Sequence, residues 1–454
     1  MKKIFPLILI LLLLTSVFAG CGSKDDKDTE SSGNQTVQDT SDNKDSNEDD
    51  NTNEEAPIKG DITVLTNRTD IVDTVFEEYK KAFNNLYPEV KVSFEAITDY
   101  AGQVKIRMNT EDYGDVLLIP NDVPVQDLPD FFEPLGTQEA LSKDYLFTEE
   151  KAYDGTVYGI PVVVNAQGIL YNKKVFEQAG VSTLPKTPEE FLDAMRKIKD
   201  NTEAIPYYTN YAAGWTMNQW EPHRTSVAGD SDYVNSMIHM DDPFGPDKPH
   251  YQVYRLLYDL VKEGLVETDP MTTDWELSKQ WIADGKIGAM VLGSWAIVQA
   301  QELAANPDDI GYMPFPYTND DGKIYAASGG DYKIGINKNS KNKEAAKAWL
   351  DWFINESGFA IDQGGISPVI GVEFPTTLSA YQELGVELIS NNPPSAEEQG
   401  LLDQVDQEAE IGFWQPDYKQ RIIEAALGNR SESFDDIMND LNKKWAKART
   451  EIIK

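Results

Sequence analysis

From residue 61 onward the chain alternates strand and helix patterns, and this alternation restricts it to an α/β architecture. Ile62, Thr63, Val64 and Leu65 form a short β-rich run, and Ile71, Val72, Val75, Phe76, Tyr79 and Phe83 then recur at helical spacing. Val90, Val92 and Phe94 alternate as a second strand. Strand, helix and strand within about 34 residues make a βαβ unit with a right-handed crossover. The grammar recurs in a helix through Val104, Ile106 and Met108, followed by a buried strand Val116–Ile119. Thr187, Pro188, Glu189 and Glu190 read as a capping box with proline at the first helical position, opening a helix through Phe191, Leu192, Met195 and Ile198. Trp281 and Ile282 close a helix that stops at Gly285, and a strand over 287–292 follows. After Ser340 a helix carries Ala345, Ala348, Trp349, Trp352 and Phe353. Parallel sheets are expected, and about 390 residues call for two of them, one per core.

Residues 1–60 obey different rules. Lys2 and Lys3 precede an uncharged apolar run over 4–17, with small residues Ala19 and Gly20 before Cys21, the only cysteine. A basic start, an apolar run and a small-residue cleavage site predict a signal peptide over 1–20. The run is shorter than the ~20 residues that a bilayer-spanning helix needs. With no second thiol Cys21 has no intrachain disulfide partner, which points to lipidation. Val17, Phe18, Ala19, Gly20 and Cys21 resemble the bacterial lipoprotein box, departing only in Phe18 where leucine is more usual; the resemblance implies a diacylglycerol thioether on Cys21. Residues 21–60 are mostly Asp, Asn, Ser, Thr, Lys and Glu, too polar to offset the entropy of ordering, and read as a tether.

The formal charge of −37 is not confined to that tether, since residues 61–454 hold 65 acidic against 34 basic side chains. Such a surface is a poor partner for nucleic acid, where affinity depends on Lys and Arg neutralising phosphates. Catalytic signatures are missing as well: there is no G-x-S-x-G elbow, no Walker loop and no G-x-G-x-x-G after a strand. His223, His239 and His250 lack metal spacing and read as surface histidines. Asn319, Asp320, Asp321 and Gly322 lack the distal ligands of a calcium loop and read as a hairpin turn. Neither a metal nor a cofactor is expected. Paired carboxylates for glycoside hydrolysis stay open, because 65 acids offer many pairs and their separation is invisible in sequence.

Aromatic residues at strand ends carry the positive signal. Gly293, Ser294 and Trp295 follow the strand 287–292 directly, and ligands of open α/β sheets bind beyond the carboxyl ends of strands. An indole there offers a flat apolar face to the C–H side of a sugar ring, while amides, carboxylates and backbone groups take the hydroxyls. Core packing is an equally ordinary role for Trp295. Trp281, Trp349, Trp352 and Trp445 are assigned to packing. Trp215, Trp220, Trp275 and Trp414 lie in or beside polar, Gly- or Pro-containing stretches, where a binding role stays open.

Several segments in order now resemble a known family. They are Tyr158, Gly159, Ile160, Pro161 followed by Leu170, Tyr171, Asn172, Lys173; then 284–290 leading to Trp295; then Gly329, Gly330, Asp331, Tyr332 and the helix after Ser340. Over 61–454 the chain resembles the extracellular solute-binding proteins of ABC importers, in particular the family-1 sugar-binding lipoproteins related to maltose-binding protein. The resemblance implies a two-lobe, periplasmic-binding-protein-like (type II) α/β fold with hinge-crossing strands and a ligand cleft between the lobes, and no catalysis. It places lobe 1 in 61–164 plus 317–370 and lobe 2 in 165–316 plus 371–454, with crossings near Asn165 and near 313–316.

Position by position, the resemblance implies a ligand-binding set. Thr66, Asn67 and Arg68 match a ligand-touching loop, although Asn also suits ordinary turns. Asp115 matches a Gly-Asp motif before a strand, where a capping role is the alternative. Asn165 stands where relatives often hold a carboxylate; an amide both donates and accepts. Trp295 and Trp414 match aromatic positions that stack on sugars. Gly330 and Asp331 match a cleft-facing turn, where Gly330 could simply serve a positive φ. Trp215, with Tyr208 and Tyr211, falls in a variable region. The implied protein is an exported monomer, lipid-anchored to the outer face of the membrane, that captures a carbohydrate and presents it to a membrane permease. A polyamine, a peptide or, in a different class, a surface glycoside hydrolase are the rival readings.

Overall fold

The computed structural model describes residues 57–453, apart from 99, 122 and 396. The signal run, Cys21 and most of the expected tether lie outside the described residues. The first βαβ unit forms as the periodicity predicts: β1 (Gly60–Thr66) pairs in parallel with β2 (Val90–Ala96) and with β3 (Val116–Ile119). The connecting helix is Val75–Leu86, burying Phe76, Tyr79 and Phe83 at i, i+3 and i+7 against the sheet. It starts later than Ile71 and Val72 suggested. The Arg68 guanidinium grips Asp70 through two hydrogen bonds of 2.8 and 2.6 Å, and residues 69–74 form turns there. Ile106, expected on the buried face of the next helix, is 71% exposed.

A small ribbon, β4 (Gly136–Thr137), β5 (Ala152–Tyr153) and β6 (Thr156–Val157), precedes β7 (Ile160–Pro161) and the long β8 (Val164–Asn172). Then come β9 (Ile205–Tyr207), β10 (Ile287–Gly293), β11 (Ile310–Pro314), β12 (Tyr325–Gly330), β13 (Lys333–Ile336) and β14 (Glu387–Ile389). The first large sheet runs β2-β1-β3-β13-β7 and the second β14-β12-β8-β10-β9, with β11 also on β8. Wholly parallel sheets were expected, and both are mixed. β13 lies antiparallel to β3 and β7, and β10, β11 and β12 all lie antiparallel to β8. The cause is topological: β8 carries the chain out of the first sheet, so strands that bring it back run the other way beside β8.

The outward crossing falls between β7 and β8, close to Asn165 as the resemblance implied. The return does not fall at 313–316. β11 and β12 both pair with β8, Gly330 opposite Val164, and only β13 rejoins the first sheet. Residues 317–330 therefore pair with the second sheet. The local signal there was weak, because Tyr325, Ala326, Ala327, Ser328, Gly329 and Gly330 hold no β-branched residue.

Local signals elsewhere hold. The Thr187 side chain accepts from the Glu190 backbone at 3.2 Å to open Pro188–Asn201, which buries Phe191, Leu192, Met195 and Ile198. Gly285 takes φ +73° just past the helix Trp275–Ala283. At the turn over 319–322, Gly322 takes φ +80°, and its N–H donates to the Asn319 carbonyl. The helix Lys343–Asn355 buries Trp349, Trp352 and Phe353 in one core with the first sheet, while the second sheet is covered by cores drawing on residues 164–448. Two of the three histidines depart from expectation. His223 and His250 are fully buried, His223 stacked on Phe315 at 4.4 Å and His250 bonded to Glu221 at 3.0 Å, whereas His239 is exposed.

Candidate functional site

The carboxyl ends of β1 and β10 and both crossings converge on one place. At the end of β1, the Thr66 hydroxyl accepts from the Arg68 N–H at 3.1 Å, turning the chain so that the Arg68 side chain reaches both Asp70 and, through Nη1, Gln363. The guanidinium holds the Asp70 carboxyl below its usual range against some opposing burial. Thr66, Asn67 and Arg68 line a cavity of about 240 Å³ together with Asn165, Trp295 and Asp331.

Asn165 ties the two crossings together. Its amide Nδ2 donates to Asp331 at 3.2 Å while its Oδ1 accepts from Ser294 Oγ at 3.2 Å, and that hydroxyl oxygen accepts from the Ala166 N–H at 3.1 Å. Asp331 also accepts from the Tyr332 N–H at 2.8 Å. One oxygen of Asp331, the Asn165 amide and the indole of Trp295 thus share a wall. On its other side lies a second, more open cavity of about 400 Å³, lined also by Gln167, Gln219, Gly329 and Gly330. The two cavities form one cleft because they share Asn165, Trp295 and Asp331.

Trp295 does not stand alone. It meets Trp215 at 5.9 Å and Trp275 at 5.8 Å between ring centroids, and Trp215 and Trp275 meet edge-on at 5.0 Å. Gly293 makes this possible, since a Cβ there would lie 2.5 Å from Trp295 Nε1. Trp215 is 41% exposed, so an indole face remains free beside the cleft.

Gly330 is in the cleft for a reason other than the expected positive φ. A Cβ there would collide with Pro161 at 2.6 Å, so glycine is needed for close packing between the sheets. Its N–H donates to Glu150 at 3.2 Å and its carbonyl accepts from Lys333 at 2.8 Å, with Glu150 and Lys333 ion-paired beneath. Burial raises the Glu150 carboxyl despite Lys333.

Three expectations land elsewhere. Asp115 sits at the opposite, amino-terminal end of β3, where its carboxylate accepts from the Thr63 N–H at 2.8 Å and the Ser340 hydroxyl at 2.5 Å. It fastens β1 to the turn before the last helix of the first core, and lies outside both cavities. Trp414 is 56% exposed and outside both cavities, its carbonyl held by Asn218 at 2.6 Å. Tyr208 and Tyr211 are buried and bonded to Asp274 and Glu424. Trp220, left open, is a core residue bonded to Tyr207 at 3.1 Å.

The residues that sequence reasoning missed are Asp70, Gln167, Gln219, Trp275, Glu302 and Gln363. Trp275 carried a signal in its polar surroundings, whereas Gln363 carried none, since it reaches Arg68 across 295 positions. A larger groove of about 830 Å³ lies around Tyr171 and Ile310, at the far end of β8. Six residues along a strand span roughly 20 Å, so this groove is separate from the Asn165 cleft. Among the described residues no group of His, Cys, Asp or Glu could hold a metal ion, and no helix is long and apolar enough to cross a membrane.

Comparison with known proteins fits this geometry. Residues 68–358 match the family model for bacterial extracellular solute-binding protein. The ABC-transporter binding protein BlMnBP1 of Bifidobacterium animalis subsp. lactis, solved with mannobiose, is 38% identical, with TM-score 0.78 over 87% of this chain and 95% of that one. BlMnBP2 of the same organism, described as manno-oligosaccharide specific and solved with mannotriose, is 36% identical with the same TM-score and coverage. The multiple sugar-binding protein of Streptococcus mutans is 24% identical over 61% of this chain and 67% of its own length. With its two-lobe α/β fold of the maltose-binding type, this chain belongs to the bacterial extracellular solute-binding proteins.

Proposed function

We propose that this protein captures a mannose-based oligosaccharide in the cleft around Asn165, Trp295 and Asp331 and delivers it to the permease of an ABC importer. The observation that carries the reading is the tryptophan trio standing beside an amide–carboxylate pair at the carboxyl ends of strands. Stacked indole faces match the C–H side of pyranose rings, and Asn165, Asp331, Gln167 and Gln219 offer both donors and acceptors to hydroxyls. The manno-oligosaccharide complexes of BlMnBP1 and BlMnBP2 support the sugar class. The cleft opens and closes about the crossings 162–165 and 330–332, and a solute that touches both lobes favours the closed state by its differential affinity. We place the lobe boundaries at these crossings.

Binding proceeds without turnover, as the family is one of solute-binding proteins. The protein acts as an exported monomer held to the outer membrane face by a lipid on Cys21. A cationic solute is the less favoured rival, because Arg68 stands in the cavity wall and occupies Asp70. Isothermal titration of the purified protein with mannobiose, mannotriose, maltotriose and spermidine separates these readings. Micromolar or tighter binding of the manno-oligosaccharides, with the recovered sugar intact, is expected. Binding of spermidine alone overturns the proposal, and cleavage of the sugar overturns the absence of turnover.

A further inference from the structure

The cleft does not end at its polar wall. Behind the ring of Arg68, Asn165, Asp331 and Gln363, the 240 Å³ cavity runs under the β1 loop into the first core, where Phe76, Leu118, Trp349, Phe353 and Phe359 line it. These side chains come from one face of the first sheet and the helices covering it. A core of this size normally closes over such a space, because interiors are packed to crystal-like density. Here a chamber persists, and it opens onto the sugar cleft.

An unsubstituted sugar ring is a poor occupant. Each ring carbon carries a hydroxyl or a ring oxygen, and burying a hydroxyl among these side chains leaves it without a partner. Trp349 narrows the choice. Its indole lines the chamber wall, and its buried Nε1–H has no acceptor. A buried donor without a partner is uncommon in a folded protein and is satisfied by any acceptor that enters. The chamber therefore suits a small group with an apolar end, one acceptor oxygen and no donor to strand. An acetyl group has this chemistry: a methyl for the phenylalanines and a carbonyl oxygen for the indole N–H.

We propose that the inner chamber is a subsite for an acetyl group carried by the bound sugar, so that the ligand is an acetylated oligosaccharide. This rests on the reading of the cleft as an oligosaccharide site. The acetyl can be an ester on a hexose or an amide on an amino sugar, since the methyl and the carbonyl are common to both.

The test titrates the protein with mannobiose, with mannobiose carrying one acetyl ester, with the same compound after alkaline deacetylation, and with N,N′-diacetylchitobiose. The expected result is at least tenfold tighter binding of acetylated than of deacetylated mannobiose, and strong saturation transfer from protein aromatic protons to the acetyl methyl. In W349F the ratio of the two affinities should fall toward one. Diacetylchitobiose binding while every mannobiose fails would support the chamber and reject the mannose reading. Equal or weaker binding of the acetylated form, or no acetylated ligand bound while plain mannobiose binds, overturns the inference and leaves the mannose reading standing.

Discussion

Removing one carboxylate from the second lobe should nearly unfold it. Glu221 is fully buried, and its two oxygens gather Arg224, His250 at 3.0 Å, Tyr254, Tyr418 and Lys419 at 3.6 Å. Burial by itself would raise its pKa; Arg224, Lys419 and His250 outweigh burial and hold the carboxyl well below the ordinary range. It stays ionised. Glu221→Ala leaves Arg224 and Lys419 buried without their counter-charge, a change that costs about 3–5 kcal/mol. Against the roughly 5–15 kcal/mol that stabilises a domain, this is a large fraction. Glu221→Gln keeps one acceptor oxygen and should cost less, about 2 kcal/mol. The damage should also reach the surface. Lys419 donates to the Gln415 carbonyl at 2.8 Å and the Arg224 guanidinium lies 4.9 Å from the Phe413 ring, so the turn bearing Trp414 rests on this network. Urea unfolding followed by tryptophan fluorescence, with the slope checked for constancy, measures the loss. Adding Arg224→Met to Glu221→Gln should recover more than about 1 kcal/mol by removing a stranded charge. A loss below about 1 kcal/mol in Glu221→Ala would refute the reasoning, because it would mean the cations were never dependent on the carboxylate.

Other outcomes follow from single contacts. Trp295→Ala should weaken mannotriose binding by about 1–3 kcal/mol, read by calorimetry, with little change in melting temperature. Asp115→Ala should do the reverse, costing roughly 1–3 kcal/mol of stability through the Thr63 and Ser340 bonds while leaving affinity unchanged. Glu267, buried beside Thr209, has its carboxyl pushed up from 4.5 to about 7 by desolvation. The folded state then binds the proton more tightly than the unfolded state, so stability is full below pH 4.5 and falls as pH rises to about 7. The fall approaches ~3 kcal/mol, and Glu267→Gln should flatten it in melts recorded from pH 4 to 8. Cys21→Ser should release the protein into the medium with its affinity intact; retention in the membrane fraction would show another anchor.

Local patterns were legible wherever one residue and its neighbours suffice. The capping box at Thr187, the stop at Gly285 and the face Phe76, Tyr79, Phe83 each depend on contacts within a few positions, and each stands where its pattern put it. Trp295 was found because it follows directly on a strand that could be read. Burial of polar groups was not legible: His223 and His250 looked like surface residues, yet their surroundings are built by segments up to about 200 positions away.

The chain by itself determined its class: an α/β alternation long enough for two cores, behind a leader whose lone cysteine has no partner. Strand direction, the return crossing and the composition of the cleft were decided only in three dimensions. Gln363 meets Arg68, Asp331 meets Asn165, and Trp215 meets Trp295 because β8 is shared by strands from far along the chain. The physical reason is one of range. Helix periodicity and caps are short-range and written locally, whereas a binding wall is made where distant strand ends meet, and no spacing records that meeting.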